Sequence, residues 1–225
     1  METAYGLLRA ALKPSLGAWF RWHIEGIENI PPEGPAIIAF NHIAYLDPLA
    51  AAYAVDRAGR KSRFLAKAEL FEDRRIGWIL RGAHQIPVLR GHSTAAAALG
   101  AAQDALRSGE AVIIFPEGTV TTDPGLAPMT PKTGAARLAL QTRAPLVPCA
   151  LWGTASVWPK GAGTHWWPPR QDIYVRAGEP MEVHETDARA GWVSLSRRLM
   201  EEIAALVAAL RRPAPAQRPK GRAAR

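Results

Sequence analysis

Ala111-Val112-Ile113-Ile114-Phe115, followed at once by Pro116-Glu117-Gly118-Thr119, is the most telling segment of the chain. Five consecutive apolar residues between Gly109 and Pro116 are too few for a core helix and read as a buried strand. Upstream, residues 93–107 are rich in alanine, with Ser93 as cap and Gly109 as stop, and read as a helix. Downstream, a loop over 116–131 leads to a helix at 133–142 and a strand at 145–151.

The alternation continues in both directions. Toward the N-terminus, strands are predicted at 85–89, 63–66, 35–40 and 22–25, and a helix at 69–81. Another helix begins at Asp47-Pro48, with Asp as a candidate N-cap and Pro at the first helical position, and runs to about Arg57. Pro87 marks the 85–89 strand as an edge or an irregularity. Toward the C-terminus come a strand at 172–176 and an amphipathic helix at 194–210, its face made by Leu195, Leu199, Ile203, Leu206, Val207 and Leu210. This order predicts an α/β fold with a mostly parallel β-sheet core flanked by helices. In such sheets ligands bind in loops outside the strand ends. Residues 152–169, rich in Trp, Gly and Pro, receive no assignment beyond an ordered surface loop.

Composition narrows the function classes. The chain has 225 residues, 48% of them apolar and 21% charged, which excludes a wholly disordered protein. Its one cysteine, Cys149, lies in the apolar run 146–151, so neither a disulfide framework nor a cysteine-based zinc site forms within one chain. No apolar run approaches the roughly 18 residues that span a bilayer. The net charge of +8 is uneven: residues 211–225 carry six cations and no acid, so the rest of the chain holds only +2. That basic tail suits a solubilising segment, attraction to anionic lipid or, last, nucleic acid; no aromatic residue interleaves its charges, and no nucleic-acid partner is expected. Residues 1–21 have apolar residues at helical spacing (Leu7, Leu8, Ala11, Leu12, Leu16, Trp19, Phe20) beside Arg9, Lys13 and Arg21. This amphipathic helix suits either a membrane interface or packing on the protein's own core. The expected division is thus helix 1–21, a domain over 22–210 and a basic tail over 211–225.

Four strand ends carry polar residues able to do chemistry. His42 follows an apolar strand, and Asp47 lies five residues on. On one continuous helix the two would point about 140° apart, but a turn between strand end and helix start brings them together. A carboxylate beside one imidazole nitrogen fixes the tautomer, and the other nitrogen is free to take a proton from a hydroxyl. Glu117 and Gly118 follow the 111–115 strand, although Pro-Glu-Gly is also an ordinary turn. Arg90 ends another strand and offers a guanidinium to a phosphate. Lys132 stands at the start of the 133–142 helix, where a helix N-terminus and a cation together hold an anion. His23, His84, His92, His165 and His184 lack a matching carboxylate motif and read as structural or solvated.

In their order and separations these segments resemble the glycerolipid acyltransferases, specifically the 1-acylglycerol-3-phosphate (lysophosphatidic acid) acyltransferases. Residues Asn41 to Asp47 match the first block, His-x4-Asp; Gln85 to Arg90 the second; Phe115-Pro116-Glu117-Gly118-Thr119 the third; and Leu146-Val147-Pro148 the fourth. Gly26-Ile27-Glu28-Asn29-Ile30-Pro31 matches the family's lead-in, and the likeness covers about residues 22–176. The resemblance implies that His42 is the general base and Asp47 its orienting partner. It further implies that Arg90, Glu117, Gly118 and Thr119 bind a phosphoglycerol acceptor. Neither metal nor cofactor is implied; acyl-CoA or acyl-carrier protein is the co-substrate, and the enzyme sits on the cytoplasmic face of the cell membrane as a peripheral or monotopic protein. One departure stands out: Val120 replaces the arginine that usually follows the third block, and Lys132 or Arg137 is left to supply the charge. The expected reaction is acyl transfer to 1-acyl-sn-glycerol 3-phosphate. Alternatives are another lysophospholipid, glycolipid or amino-lipid acceptor, thioester hydrolysis, or a non-catalytic lipid-binding protein.

Overall fold

The computed structural model describes residues 2–74, 77–82, 85–88, 92–183 and 188–211. Among these residues seven strands form one sheet: β1 (Arg21–Glu25), β2 (Ala36–Phe40), β3 (Ser62–Lys67), β4 (Ile86–Val88), β5 (Ala111–Ile114), β6 (Leu146–Trp152) and β7 (Asp172–Ala177). Their spatial order is β1-β7-β6-β2-β5-β3-β4. Every neighbouring pair is parallel except β6 with β7. Because β7 and β1 run opposite to the other five, the start of β1 lies at the same end of the sheet as the close of β2.

Alternation along the central strands explains the layers. Ile37, Ala39, Val112, Ile114, Leu146 and Ala150 point to one face, covered by α5 (His92–Arg107), α6 (Gly134–Thr142) and α8 (Ala188–Arg211). Ile38, Phe40, Ile113, Val147, Cys149 and Leu151 point to the other, covered by α2 (Asp47–Arg57). With both faces of β2 and β5 buried, the continuous apolar runs of the sequence are what the geometry requires. Each large aliphatic side chain so buried contributes about 1.5–3 kcal/mol.

Three expectations are revised. The helix predicted at 69–81 is two short pieces, α3 (Glu69–Glu72) and α4 (Gly77–Gly82). Asp73 is extended, and the stretch Glu72-Asp73-Arg74 offers no apolar face to carry a helix through. An unpredicted turn of helix, α7 (Thr154–Val157), follows β6. The closing helix α8 starts six residues before the predicted 194. Pro87 does lie on the edge strand β4.

The N-terminal helix α1 (Glu2–Trp19) is joined to the fold at its far end. Lys13 pairs with Asp56 of α2 at 2.6 Å, the Trp22 indole donates to the Leu16 carbonyl at 2.9 Å, and Leu16 packs on the core. The Trp-rich segment is likewise ordered against the core: Trp166 packs on Phe20 and Trp158, and Trp158 on Tyr45. No described helix is long and apolar enough to cross a membrane. Most of the basic tail, residues 212–225, lies outside the described residues.

Candidate active site

β2 and β5 are adjacent parallel strands, with Ala39 opposite Ile114. The chain segments leaving their carboxyl ends therefore run side by side, and they carry Asn41-His42 and Pro116-Glu117-Gly118. This is the crevice where open α/β sheets hold ligands.

His42 and Asp47 meet there. Nδ1 of His42 lies 2.8 Å from Oδ2 of Asp47. The same oxygen accepts the backbone N–H groups of Ile43 at 2.5 Å and Ala44 at 2.7 Å, while Oδ1 accepts the Thr154 hydroxyl at 2.5 Å. Asp47 opens α2, but its carboxylate makes no cap bond forward; it reaches back to close the turn that carries His42. All its partners are donors, the complement of an ionised carboxylate. Nδ1–H of His42 must then donate, which leaves Nε2 with its lone pair. Nε2 has no partner among the described residues. The Asp47 side chain is 0% exposed and that of His42 14%, so the carboxylate is sealed and the imidazole opens to the crevice. The imidazole stacks on Phe115, with ring centroids 4.4 Å apart, which limits its rotation.

Glu117 is turned inward. Oε1 accepts the His42 backbone N–H at 2.8 Å, and Oε2 accepts the Met129 N–H at 2.9 Å. Both of its oxygens are therefore engaged by backbone. Glu117, expected to bind substrate, fastens the loop after β5 to the His42 peptide. Thr121 completes the fastening, its N–H donating to the His42 carbonyl at 2.7 Å. Burial pushes the Glu117 carboxyl above its ordinary value of 4.5, and the two backbone N–H groups partly oppose that. In the folded state Glu117 thus holds its proton to higher pH than in the unfolded chain. Its contribution to stability is complete below pH 4.5 and declines as pH rises through the raised value. Chemical unfolding is expected to show that downward slope in the wild-type protein and to show it flattened in Glu117→Gln.

Gly118 and Thr119, which follow Glu117, are exposed. Gly118 has φ 69°, and a Cβ there would come within 2.8 Å of the Lys132 Nζ. The lysine therefore lies across the glycine, next to the start of α6, whose N-cap Thr133 makes no side-chain cap bond. Arg137, the other cation considered for the missing arginine, instead sits over the Trp192 ring of α8, 4.8 Å from its centroid. Val120 is buried, and its carbonyl accepts the Nζ of Lys160 at 3.0 Å. Arg90 lies outside the described residues, as do His84 and His184.

Sequence reasoning missed Thr154, Lys160 and Asn41. Asn41 exchanges two hydrogen bonds with the Leu151 backbone, at 2.7 and 3.0 Å, and so ties the end of β2 to β6. All three missed residues act across the sheet, and the one local sign is that Thr154 follows a strand end through Gly153 at φ 92°. His23 has a carboxylate partner after all, Asp172 at 2.7 Å, a pair on the outer strands that stays partly exposed. Cys149 is fully buried and its thiol is pushed far up by desolvation, which makes it core rather than nucleophile.

A family model described as Acyltransferase matches residues 21–152. Over 150 residues the chain is 30% identical to the 1-acyl-sn-glycerol-3-phosphate acyltransferase BAT2, chloroplastic, of Brassica napus, covering 66% of this chain and 42% of that protein. Over 129 residues it is 33% identical to the 1-acyl-sn-glycerol-3-phosphate acyltransferase of Bacillus subtilis (strain 168), covering 57% of this chain and 61% of the relative. The chain thus spans less than two thirds of the length of these relatives. Its fold is shared with the crystal structure of the 1-acyl-sn-glycerophosphate (LPA) acyltransferase PlsC from Thermotoga maritima. That match has a TM-score of 0.70 and 24% identity and covers 88% of this chain and 76% of that one.

Proposed function

The chain belongs to the acyltransferase family, and on that premise we propose that it moves a fatty acyl group from a thioester to the free hydroxyl of 1-acyl-sn-glycerol 3-phosphate, giving phosphatidic acid. The observation that carries this reading is the sealed Asp47 holding His42 by Nδ1, with Nε2 unpartnered at the crevice among the described residues. Nε2 takes the acceptor's hydroxyl proton as its oxygen attacks the thioester carbonyl. Asp47 stabilises the imidazolium that results. When the tetrahedral intermediate collapses, the C–S bond breaks and the imidazolium returns the proton to the leaving sulfur. No acyl-enzyme forms.

The phosphate of the acceptor is placed by Gly118 and Thr119, by Lys132, and by the uncapped start of α6. Lys160 brings a further cation to Val120, where the family's arginine is missing. Fixing the phosphate brings the hydroxyl within reach of Nε2, a proximity effect of the kind worth several kcal/mol. The donor is acyl-CoA or acyl-carrier protein, and the enzyme works at the cytoplasmic face of a membrane that supplies the lysophospholipid.

Incubation of the purified chain with a labelled acyl thioester and lysophosphatidate tests the reading. Labelled phosphatidic acid is expected with one or the other type of donor. Release of free fatty acid alone, or labelling confined to glycolipid or amino-lipid acceptors, would refute it. Lys132→Met and Lys160→Met are each expected to raise KM for lysophosphatidate about tenfold while kcat changes little, the signature of lost ground-state binding.

A further inference from the structure

Arg21, Arg57 and Arg170 line one cleft of about 400 Å³, bounded by the end of α1, the start of β1 and the last turns of α2. Its aromatic wall is the stacked pair Trp22 and Tyr53, with ring centroids 4.1 Å apart. Arg21 bonds Asp172 at 3.2 and 3.3 Å. The side chains of Arg57 and Arg170 have no partner among the described residues. Asp56, the neighbour of Arg57 in α2, is paired with Lys13. Three guanidiniums thus face a cleft in which Asp172 engages only one of them.

Beside the cleft stand two exposed indoles, Trp19 at 40% and Trp167 at 78% exposure. Two hydrogen bonds tie Trp19 to this rim: the Arg170 N–H donates to the Trp19 carbonyl at 2.5 Å, and the Trp19 indole N–H donates at 3.2 Å to the carbonyl of Trp166, the residue before Trp167. Indoles with an apolar body and a polar tip favour the headgroup layer of a bilayer. The start of β1 lies at the same end of the sheet as His42, three strand positions away, about 14 Å at the usual strand spacing.

We propose that this cleft is a second anion site, separate from the crevice of His42, which takes the phosphate of an anionic phospholipid at a bilayer surface while Trp19 and Trp167 insert beside it. The partner is a lipid surface, so the inference rests on the proposed function, yet it stands on different residues and fails separately. Guanidinium forks match phosphate oxygens, and one site then docks the end of the sheet that also carries the base.

The test is co-sedimentation of the full chain with phosphatidylcholine vesicles with and without phosphatidylglycerol. Arg57→Gln or Arg170→Gln is expected to weaken binding to phosphatidylglycerol vesicles about fivefold, and the double variant about thirtyfold. Binding to pure phosphatidylcholine and turnover of a water-soluble short-chain lysophosphatidate stay unchanged. Trp167→Ala is expected to weaken binding to both kinds of vesicle. Unchanged binding of the double variant to phosphatidylglycerol vesicles overturns the proposal. So does loss of inorganic phosphate binding, followed by calorimetry, with vesicle binding intact, because the ligand is then free phosphate. A parallel fall in short-chain turnover overturns it too, since the arginines would then serve the catalytic crevice. If the double variant does not fold, salt titration of the wild-type protein decides: the preference for phosphatidylglycerol must vanish as ionic strength rises. Arginine-dependent vesicle binding without any acyl turnover leaves this inference standing and removes the proposed function.

Discussion

His42→Ala is expected to lower kcat by roughly 10²–10⁴, the range that a positioned general base supplies. KM for both substrates and the melting temperature stay near wild type. The reason lies in what the side chain touches. Its ring stacks on Phe115 and gives one hydrogen bond to Asp47, and three other donors remain on that carboxylate when the ring is gone. Steady-state release of thiol from the acyl thioester, with lysophosphatidate as acceptor, measures the loss. A wild-type kcat in this variant would remove the base from the mechanism.

For Asp47→Ala the expected damage is double. Catalysis falls as far as in His42→Ala, because the imidazole loses the partner that fixes its tautomer. The fold suffers as well. Asp47 is fully buried, and its removal strands the N–H groups of Ile43 and Ala44, the Thr154 hydroxyl and Nδ1 of His42. An unsatisfied buried donor costs about 1–3 kcal/mol; breaking a buried charged network costs about 3–5 kcal/mol in all. Urea unfolding is expected to show a loss of that size, a large share of a typical domain's stability. Asp47→Asn keeps the shape and one acceptor oxygen. It is expected to recover part of the stability but little of the rate. Equal stability of Asp47→Ala and wild type would mean that the four-donor arrangement contributes nothing to the turn.

The central strands were legible because full burial on both faces leaves apolar runs such as 36–40 and 111–114, bounded by glycine and proline. His42 and Asp47 were legible as a pair because five residues of chain separate them and a strand-to-helix turn closes that gap. Thr154 was not, because it reaches Asp47 only through the placement of β6 beside β2, and strand order leaves no local mark. Lys160 was hidden for the same reason, in a Trp-rich loop whose packing depends on Phe20 and Tyr45 from distant parts of the chain. Glu117 showed its chemistry but not its direction. The family resemblance implies a ligand for substrate at this position, and two backbone N–H groups claim the carboxylate. The interruption at Asp73 was missed because helix propensity alone carries no tertiary support through a charged stretch.

The peptide that bears the imidazole is gripped on both sides by the β5 loop, its N–H by Glu117 and its carbonyl by Thr121. Gly118 and Thr119 lie between those two grips along the chain. The gap between the proposed phosphate seat and Nε2 is therefore set by main-chain geometry, like the jaws of a locked calliper. Under the proposed function, a glycerol backbone whose phosphate and hydroxyl span that opening is the one presented to Nε2. One that is longer or shorter by a carbon is expected to bind out of register and to lose rate at the chemical step rather than affinity.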